Sequence, residues 1–424
     1  MNTTQNNAAR APFDGATPDF IPVIIGTDLN AYYMARCFND EYHIRPLVLG
    51  KASMGYTSHS KILNLEIIGD LWDEQLFVST LINTALKLQA RYHKDECPPL
   101  LLVATNDFYV RLVVKNRDEL ARYYVFNYIT PDVLDAVQIK TNFYGLCQEY
   151  GLDIPETALY DCSQNSSIPV FTHYPVIIKP ANGDMYYRHP FEGQKKVYRL
   201  GSATEIAQVI KEIRASGYTD KLVIQEYIPG DDTYLYDCVV YVDSTHATRA
   251  VSYAQVLLQE HTPTAVGNLT SLVARYNEPY MKQLSSFAQR VGYVGFGNFD
   301  MKYDERDGRY KVLEINVRQG RSSYYMTTQG RNMAKLLVDD VILHRPPASE
   351  PVLLNEEVLF SVVPLSLVRR YVRSPQLRAE MRRLKREGRF SNPLINPKDR
   401  SLRRAFWKLL RSVNYYKKYF QNKW

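Results

Sequence analysis

The stretch that most constrains this chain runs from Gly295 to Tyr325 and reads G-F-G-N-F-D-M-K-Y-D-E-R-D-G-R-Y-K-V-L-E-I-N-V-R-Q-G-R-S-S-Y-Y. Two extended runs flank Asp304 to Gly308, whose Asp-Gly pair signals a hairpin turn because glycine accepts the positive φ such turns require. Side chains alternate along a strand, so Asn298, Asp300 and Lys302 share one face of the first run, opposite Phe299, Met301 and Tyr303. In the second run Val312, Glu314, Asn316 and Arg318 share a face, opposite Leu313, Ile315 and Val317. If the two polar faces coincide, Asp300, Glu314 and Asn316 bring three oxygen donors to one spot, with Arg318 beside them. Hard oxygen donors without His or Cys suit Mg²⁺, which keeps waters and substrate phosphates in its shell. A hairpin with one solvated polar face, needing no metal, is the plain alternative.

The rest of the chain divides around this hairpin. Residues 1–18, rich in Asn, Thr and Ala, read as a disordered leader without the apolar core of a signal peptide. Strand-like runs at Ile21 to Ile25, Arg45 to Leu49, Asn64 to Ile68 and Leu100 to Ala104 alternate with helix-like stretches such as Ala31 to Phe38 and Asp73 to Tyr92. That alternation predicts an N-terminal open α/β domain over 19–130. A second domain over 131–345 opens at Thr130-Pro131 with a helix that carries Lys140 and runs to Tyr150. It continues through several strand-like runs and closes with a helix over Asn332 to Leu343. His344-Arg-Pro-Pro marks its end, and 346–424 form a C-terminal extension. The five cysteines are scattered without a C-x-x-C pair, as in a reducing compartment, and no apolar run reaches transmembrane length. The chain is expected to be cytoplasmic.

Two further stretches suit a nucleotide. In Tyr174-Pro-Val-Ile-Ile-Lys179-Pro180 a lysine leaves a β-branched strand into the loop Ala181-Asn182-Gly183-Asp184. An ammonium and loop N–H groups both favour phosphate, although a lysine at a strand end can also simply extend into solvent. In Lys221-Leu-Val-Ile-Gln-Glu-Tyr-Ile-Pro-Gly-Asp-Asp232 an apolar strand ends in an acidic turn. A strand edge beside an apolar wall suits a flat heterocycle, and a nearby carboxylate suits ribose hydroxyls. A strand ending at a polar turn is again the plainer reading.

Taken in order, these features resemble an ATP-grasp enzyme from about Lys140 to Leu343. Over nearly everything after the leader the chain is similar to the D-aspartate ligases of Gram-positive cell-wall synthesis. The strings that carry the resemblance are I-G-T-D-L-N, Y-I-P-G-D-D, G-F-G-N-F-D-M-K-Y-D and E-I-N-V-R-Q-G-R-S-S-Y. The resemblance implies that the 131–345 domain is an ATP-grasp fold following a pre-ATP-grasp α/β domain, with ATP and Mg²⁺ as cofactors. It assigns Lys140 and Lys179 to the phosphates, and Asn182, Gly183 and Asp184 to a loop closing over them. Gln225, Glu226, Tyr227 and Ile228 match the adenine-binding edge, and Asp232 the acid that takes the ribose. Asp300, Glu314 and Asn316 match metal ligands, and Arg318 an arginine at the γ-phosphate and acyl phosphate. Gly320, Arg321, Ser322 and Ser323 fall where the carboxylate substrate binds. One departure stands out: the phosphate loop lacks the usual Ser/Gly-rich sequence and carries Met185-Tyr-Tyr-Arg188. The implied reaction joins the β-carboxylate of D-aspartate to the side-chain amine of residue 3 of a UDP-MurNAc-pentapeptide. A ligase for another amino acid and acceptor shares the same motifs, and an ATP-binding protein acting through its basic tail at anionic membranes is the alternative from another class.

Charge is unevenly placed. From Ser366 to Trp424 eighteen Lys/Arg face three acids, a net of +15, which leaves −8 for the remainder of a chain totalling +7. The run from Ser401 to Ser412 predicts a basic amphipathic helix with Leu402, Phe406, Leu409 and Val413 on one face. That stripe is short enough to be satisfied by packing on the domain. The basic surface is expected to attract an anionic partner, either a membrane surface or the diphosphate of the acceptor. No nucleic-acid motif accompanies it, and no nucleic-acid partner is expected.

Overall fold

The computed structural model describes residues 19–92, 96–164, 167–171, 174–262 and 265–422; the leader 1–18 and the Asp184 side chain lie outside the described residues. The N-terminal sheet is parallel, in the order β3-β2-β1-β4, from β1 (Ile21–Ile25), β2 (Leu47–Gly50), β3 (Asn64–Ile67) and β4 (Leu100–Ala104). β1, β2 and β4 are buried throughout, which explains why they read as unbroken apolar runs. A small antiparallel sheet follows in the order β5-β8-β6-β7, from β5 (Thr157–Asp161), β6 (Val176–Pro180), β7 (Tyr198–Leu200) and β8 (Lys221–Glu226).

The central sheet comprises β9 (Leu235–Val242), β10 (Thr248–Gln259), β11 (Leu269–Arg275), β12 (Gly295–Asp304), β13 (Arg309–Asn316), β14 (Val352–Leu353), β15 (Leu359–Ser361) and β16 (Phe390–Ser391). Its order is β13-β12-β9-β10-β11-β15-β16, with β14 paired to β10. Alternation along β9 sends its two faces into different cores. Val239 and Tyr241 join the helices Leu29–Tyr42 and Met333–Val341, whereas Cys238, Val240 and Val242 join the helix Glu278–Arg290. Among the described residues no helix is long and apolar enough to cross a membrane.

Three local expectations are corrected. The helix expected from Thr130 to Tyr150 is two helices, Pro131–Gln138 and Lys140–Glu149, separated by Ile139 in an extended conformation (ψ 111°). The apolar phase slips there: Leu134 and Val137 are buried in the first segment, Phe143, Tyr144 and Cys147 in the second. One straight helix cannot aim both sets inward.

The second correction lies in the hairpin. Asn298 faces Asn316 and Asp300 faces Glu314, but the register slips next to them so that Met301 faces Val312. Leu313 is the extra residue of a bulge, and Val312 turns into the core instead of sharing the face of Glu314. The bulge is pinned from outside: Val312 N–H donates to Asp153 O (2.8 Å) and Tyr144 Oη to Leu313 O (3.1 Å).

The third concerns the extension after residue 345. It contributes β14, β15 and β16 to the central sheet and ends in the helix Leu402–Gln421. That helix packs with the face opposite to the one expected. Arg404, Tyr415 and Tyr419 are buried, while Leu402, Phe406, Leu409 and Val413 are 59–91% exposed. The inward face wins because it offers large aromatic area and fixed polar partners. Trp407 meets Tyr56 edge-on, Arg404 pairs with Asp399 (3.0 Å), and Tyr419 Oη donates to Gln259 O (2.6 Å).

Candidate active site

The cleft lies where the small sheet, the β12–β13 hairpin and the C-terminal ends of the N-terminal strands converge. β6 delivers Lys179, whose Nζ donates to Tyr144 Oη (2.9 Å) and Gln225 Oε1 (3.1 Å). Gln225 is itself fixed by donating to Thr157 Oγ1 (2.8 Å). Burial, and secondarily the charge of Lys196, pulls the Lys179 ammonium down to about 8 against the opposing pull of Glu314. The break at Ile139 places Lys140 at the first turn of its helix, with Nζ 4.0 Å from Glu314 Oε2. Its ammonium is lowered by burial despite that carboxylate. Tyr144, invisible as a site residue in the sequence, thus ties together the bulge and Lys179.

Asp300 and Glu314 face each other directly across the paired strands. Withdrawal from water, then the charge of Glu314, pushes the Asp300 carboxyl well above its usual range. Burial raises Glu314 as well, but the summed field of Lys140, Lys196, Lys179 and Arg318 holds it below the ordinary value. Two facing carboxylates that strain one another, with no His or Cys among the hydrogen-bond partners given for them, fit a divalent cation. Asn316 fits in part. Its Nδ2 donates to Asp300 Oδ2 (3.0 Å), while its Oδ1 accepts from Arg318 Nη2 (3.2 Å), so ligation through Oδ1 requires the amide to turn over.

Arg318 links the end of the β12–β13 hairpin to the helix that follows β4. Its Nε and Nη2 donate to Asp107 Oδ2 (3.1 and 2.9 Å), at the start of the helix Asp107–Lys115. The next residues dock on the first turn of the helix Leu29–Tyr42. Tyr33 Oη donates to Gly320 O (2.6 Å) and Asn30 Nδ2 to Gln319 O (3.3 Å). Gly320 must be glycine here, because a Cβ would lie 1.9 Å from Asn298 Oδ1. Asp28 caps that helix by accepting from Ala31 N (3.1 Å) and lies in the fields of both Arg321 and Arg318. Gly26 before it has φ +121°, and a Cβ there would strike Thr105 Oγ1.

Beside Gly320, the other three expected substrate residues separate into two kinds. Ser322 and Ser323 are buried and commit their hydroxyls to Asp237 Oδ2 (3.1 Å) and Asn298 Oδ1 (3.0 Å), which fixes the loop. Arg321 stays partly exposed. Its Nη2 donates to Tyr56 Oη (3.1 Å) and lies 3.4 Å from Tyr415 Oη and from Glu260 Oε1, while its buried Nε has no partner among the described residues. Arg411 reaches the same phenols, with Nε 3.4 Å from Tyr56 Oη and Nη2 2.9 Å from Tyr415 Oη. Burial raises the Tyr56 phenol, but the two guanidiniums outweigh it and bring the phenol below its ordinary value.

At the other end of the cleft, Gln225 is corrected from edge to interior. β8 is paired on both sides, with Thr157 and Ile177 as Gln225's neighbours, so its contribution is the side chain. Glu226 accepts from Glu156 N (2.9 Å) and from Arg306 (2.7 Å). Tyr227 is covered by the Arg199 guanidinium at 4.0 Å and the Lys302 ammonium at 4.9 Å, and Ile228 is buried. Asp232 is engaged by Gln259 (2.9 and 3.0 Å) and His261 (2.8 Å). Asn182 caps the short helix Gly183–Tyr187, where a Cβ on Gly183 would meet nothing within 4 Å. A capped helical turn therefore replaces a Ser/Gly-rich loop here.

No family model matches the chain. Solved structures share its fold. An L-amino acid ligase from Bacillus licheniformis superposes with TM-score 0.54 at 13% identity, over 76% of this chain and 74% of that one. N5-carboxyaminoimidazole ribonucleotide synthetase, in its ADP complex, superposes with TM-score 0.55 at 15% identity, over 81% of each chain. Fold and site together define an ATP-grasp ligase, an enzyme that forms a C–N bond. In sequence, the D-aspartate ligase of Enterococcus faecium (strain Aus0004) is 33% identical over 419 residues, 96% of this chain and 98% of that protein. The chain belongs to the D-aspartate ligase family.

Proposed function

We propose that this chain uses ATP to join the β-carboxylate of D-aspartate to the side-chain amine of residue 3 of a UDP-MurNAc-pentapeptide. The observation that carries the proposal is the gathering of opposite charges at the site. Lys140, Lys179 and Arg318 act on Glu314, and Asp28 lies in the fields of both Arg321 and Arg318. A β-carboxylate at Arg318, an ammonium at Asp28 and an α-carboxylate at Arg321 suit a dicarboxylic amino acid.

The chemistry then follows from charge. A carboxylate is a poor electrophile, so its oxygen attacks the γ-phosphorus, the bond to ADP breaks, and an acyl phosphate results. Lys179, Lys140 and Arg318 offset the negative charge on the transferring group. Asp300 and Glu314 would hold Mg²⁺, together with Asn316 once its amide turns, and the ion would neutralise phosphate charge. The acceptor amine attacks the carbonyl carbon, phosphate leaves with the C–O bond pair, and the amine proton passes to solvent. Asp107 and Tyr144 position Arg318 and Lys179. We place the reaction in the cytoplasm, where ATP and nucleotide-linked precursors occur together.

The test is to incubate the protein with ATP, Mg²⁺ and each candidate amino acid, with and without stem-peptide acceptor, and measure phosphate release. D-aspartate should support the fastest release. Equal or faster release with a monocarboxylic amino acid would replace D-aspartate and remove the role given to Arg321.

A further inference from the structure

Part of the tail's surplus charge lines a groove of about 510 Å³ between the helices Leu365–Tyr371, Pro375–Arg386 and Leu402–Gln421. Five cations line it, Arg369, Arg382, Lys385, Lys408 and Arg411, with Phe390 in its wall and no carboxylate among its described lining residues. The tail's three acids are committed elsewhere: Glu380 to Arg275 (2.5 Å), Glu387 to Arg383 (3.1 Å) and Asp399 to Arg404 (3.0 Å). Among the described residues none of the five forms an ion pair within 4.0 Å. Lys408 and Arg411 spend donors on the main-chain oxygens of Leu394 (3.3 Å) and Val362 (2.6 Å), which fixes them without neutralising them.

Gathering five like charges in one concavity works against folding unless an anion is bound there, since like charges repel and a concave wall screens them poorly. The volume is that of a pocket for a nucleotide-sized ligand. Its position is informative too. Arg411 forms part of the groove and also reaches Tyr56 Oη, which accepts from Arg321. A ligand in the groove therefore lies one side chain away from the amino-acid site.

We propose that this groove receives the diphosphate of the nucleotide-linked acceptor, the Arg369/Arg382/Lys385 rim engaging phosphate oxygens while the peptide stem extends past Arg411 into the cleft. The inference rests on the acceptor reading given above. It gives the basic extension a role in acceptor affinity that is separate from activation of the amino acid.

The test uses the double variant Arg382→Gln/Lys385→Gln, two exposed side chains outside the amino-acid and phosphate sites. D-aspartate activation without acceptor is read as hydroxamate trapped by hydroxylamine, and the KM for UDP-MurNAc-pentapeptide is read separately. UDP binding is measured by calorimetry with the ATP site saturated by ADP and Mg²⁺. The expected result is unchanged hydroxamate formation, a KM for the acceptor raised about tenfold or more, and UDP affinity lowered in parallel and weakened by salt. An unchanged acceptor KM overturns the proposal, as does hydroxamate formation falling in proportion. Loss of binding to phosphatidylglycerol vesicles with an unchanged acceptor KM overturns it in favour of a lipid phosphate. If the wild type traps no hydroxamate, the acyl-phosphate reading has failed, and the UDP arm then tests the groove by itself.

Discussion

Asp399 and Arg404 face each other at 3.0 Å with side chains 0% and 2% exposed, and Asp300 and Glu314 face each other across paired strands. The first pair is opposite in charge and closed. Asp399 also accepts from Tyr32 Oη (2.8 Å), Ser60 Oγ (3.0 Å) and Lys61 N (2.7 Å), and Arg404 donates to Tyr56 O and Ser58 O. It ties the C-terminal helix to the helix Leu29–Tyr42 and to residues 56–61, and of the pair's buried polar atoms only Arg404 Nη2 is without a partner among the described residues. The second pair is alike in charge, open to the cleft, and balanced only by cations that a phosphate would also attract. Charge that the protein neutralises internally is architecture, whereas charge that it leaves in conflict marks a place for something else.

The largest effect should come from the open pair. Glu314→Gln keeps shape and removes one of the conflicting charges, so the fold should hold or gain stability while turnover falls by about 10²- to 10³-fold. Steady-state rates at ordinary magnesium concentrations, beside a melting curve, check this; near-normal turnover would remove Glu314 from the metal site. The closed pair should respond the other way. Asp399→Asn leaves Arg404 buried and uncompensated, which should cost about 3 kcal/mol of stability. Denaturant unfolding measures that loss, and a change under 1 kcal/mol, roughly that of an exposed ion pair, would show the pair is not closed.

How much of this contrast was legible in the sequence depends on the element. The hairpin was readable because period-two alternation names a face directly, and Asp300, Glu314, Asn316 and Arg318 do converge. The bulge at Leu313 was not, because a single inserted residue leaves no local signature until its partners, Asp153 and Tyr144, are in place. For the helix Leu402–Gln421, periodicity found two faces but could not say which one packs. Aromatic residues at 407, 415 and 419 with Arg404 and Arg411 outcompeted the stripe of Leu402, Phe406, Leu409 and Val413. β14 and β16, two residues each, are too short to show alternation at all. Ser322 and Ser323 matched a motif position, yet their roles depend on Asp237 and Asn298, which lie far away in sequence.

Smaller changes sharpen the contrast within the open cluster. Tyr144→Phe removes the hydroxyl shared by Leu313 O and Lys179, and should lower kcat about tenfold while costing about 1 kcal/mol of stability. A loss of stability with unchanged kcat would make Tyr144 a packing residue only. The pH dependence should be smaller still. Lys179 is lowered to about 8, so it is charged below that pH and loses its charge as pH rises through it. Affinity for ATP should therefore decline severalfold between pH 7 and 9. Lys179→Arg should bind with little pH dependence, because guanidinium stays charged. An identical decline in that variant would assign the titration to another group.

The most direct measurement is product analysis with ATP, Mg²⁺ and D-aspartate in the presence of hydroxylamine and no acceptor. The account predicts ADP, phosphate and aspartyl hydroxamate in equal amounts. AMP and pyrophosphate would mean that the carboxylate is activated as an adenylate, contradicting phosphoryl transfer at the Asp300/Glu314 cluster.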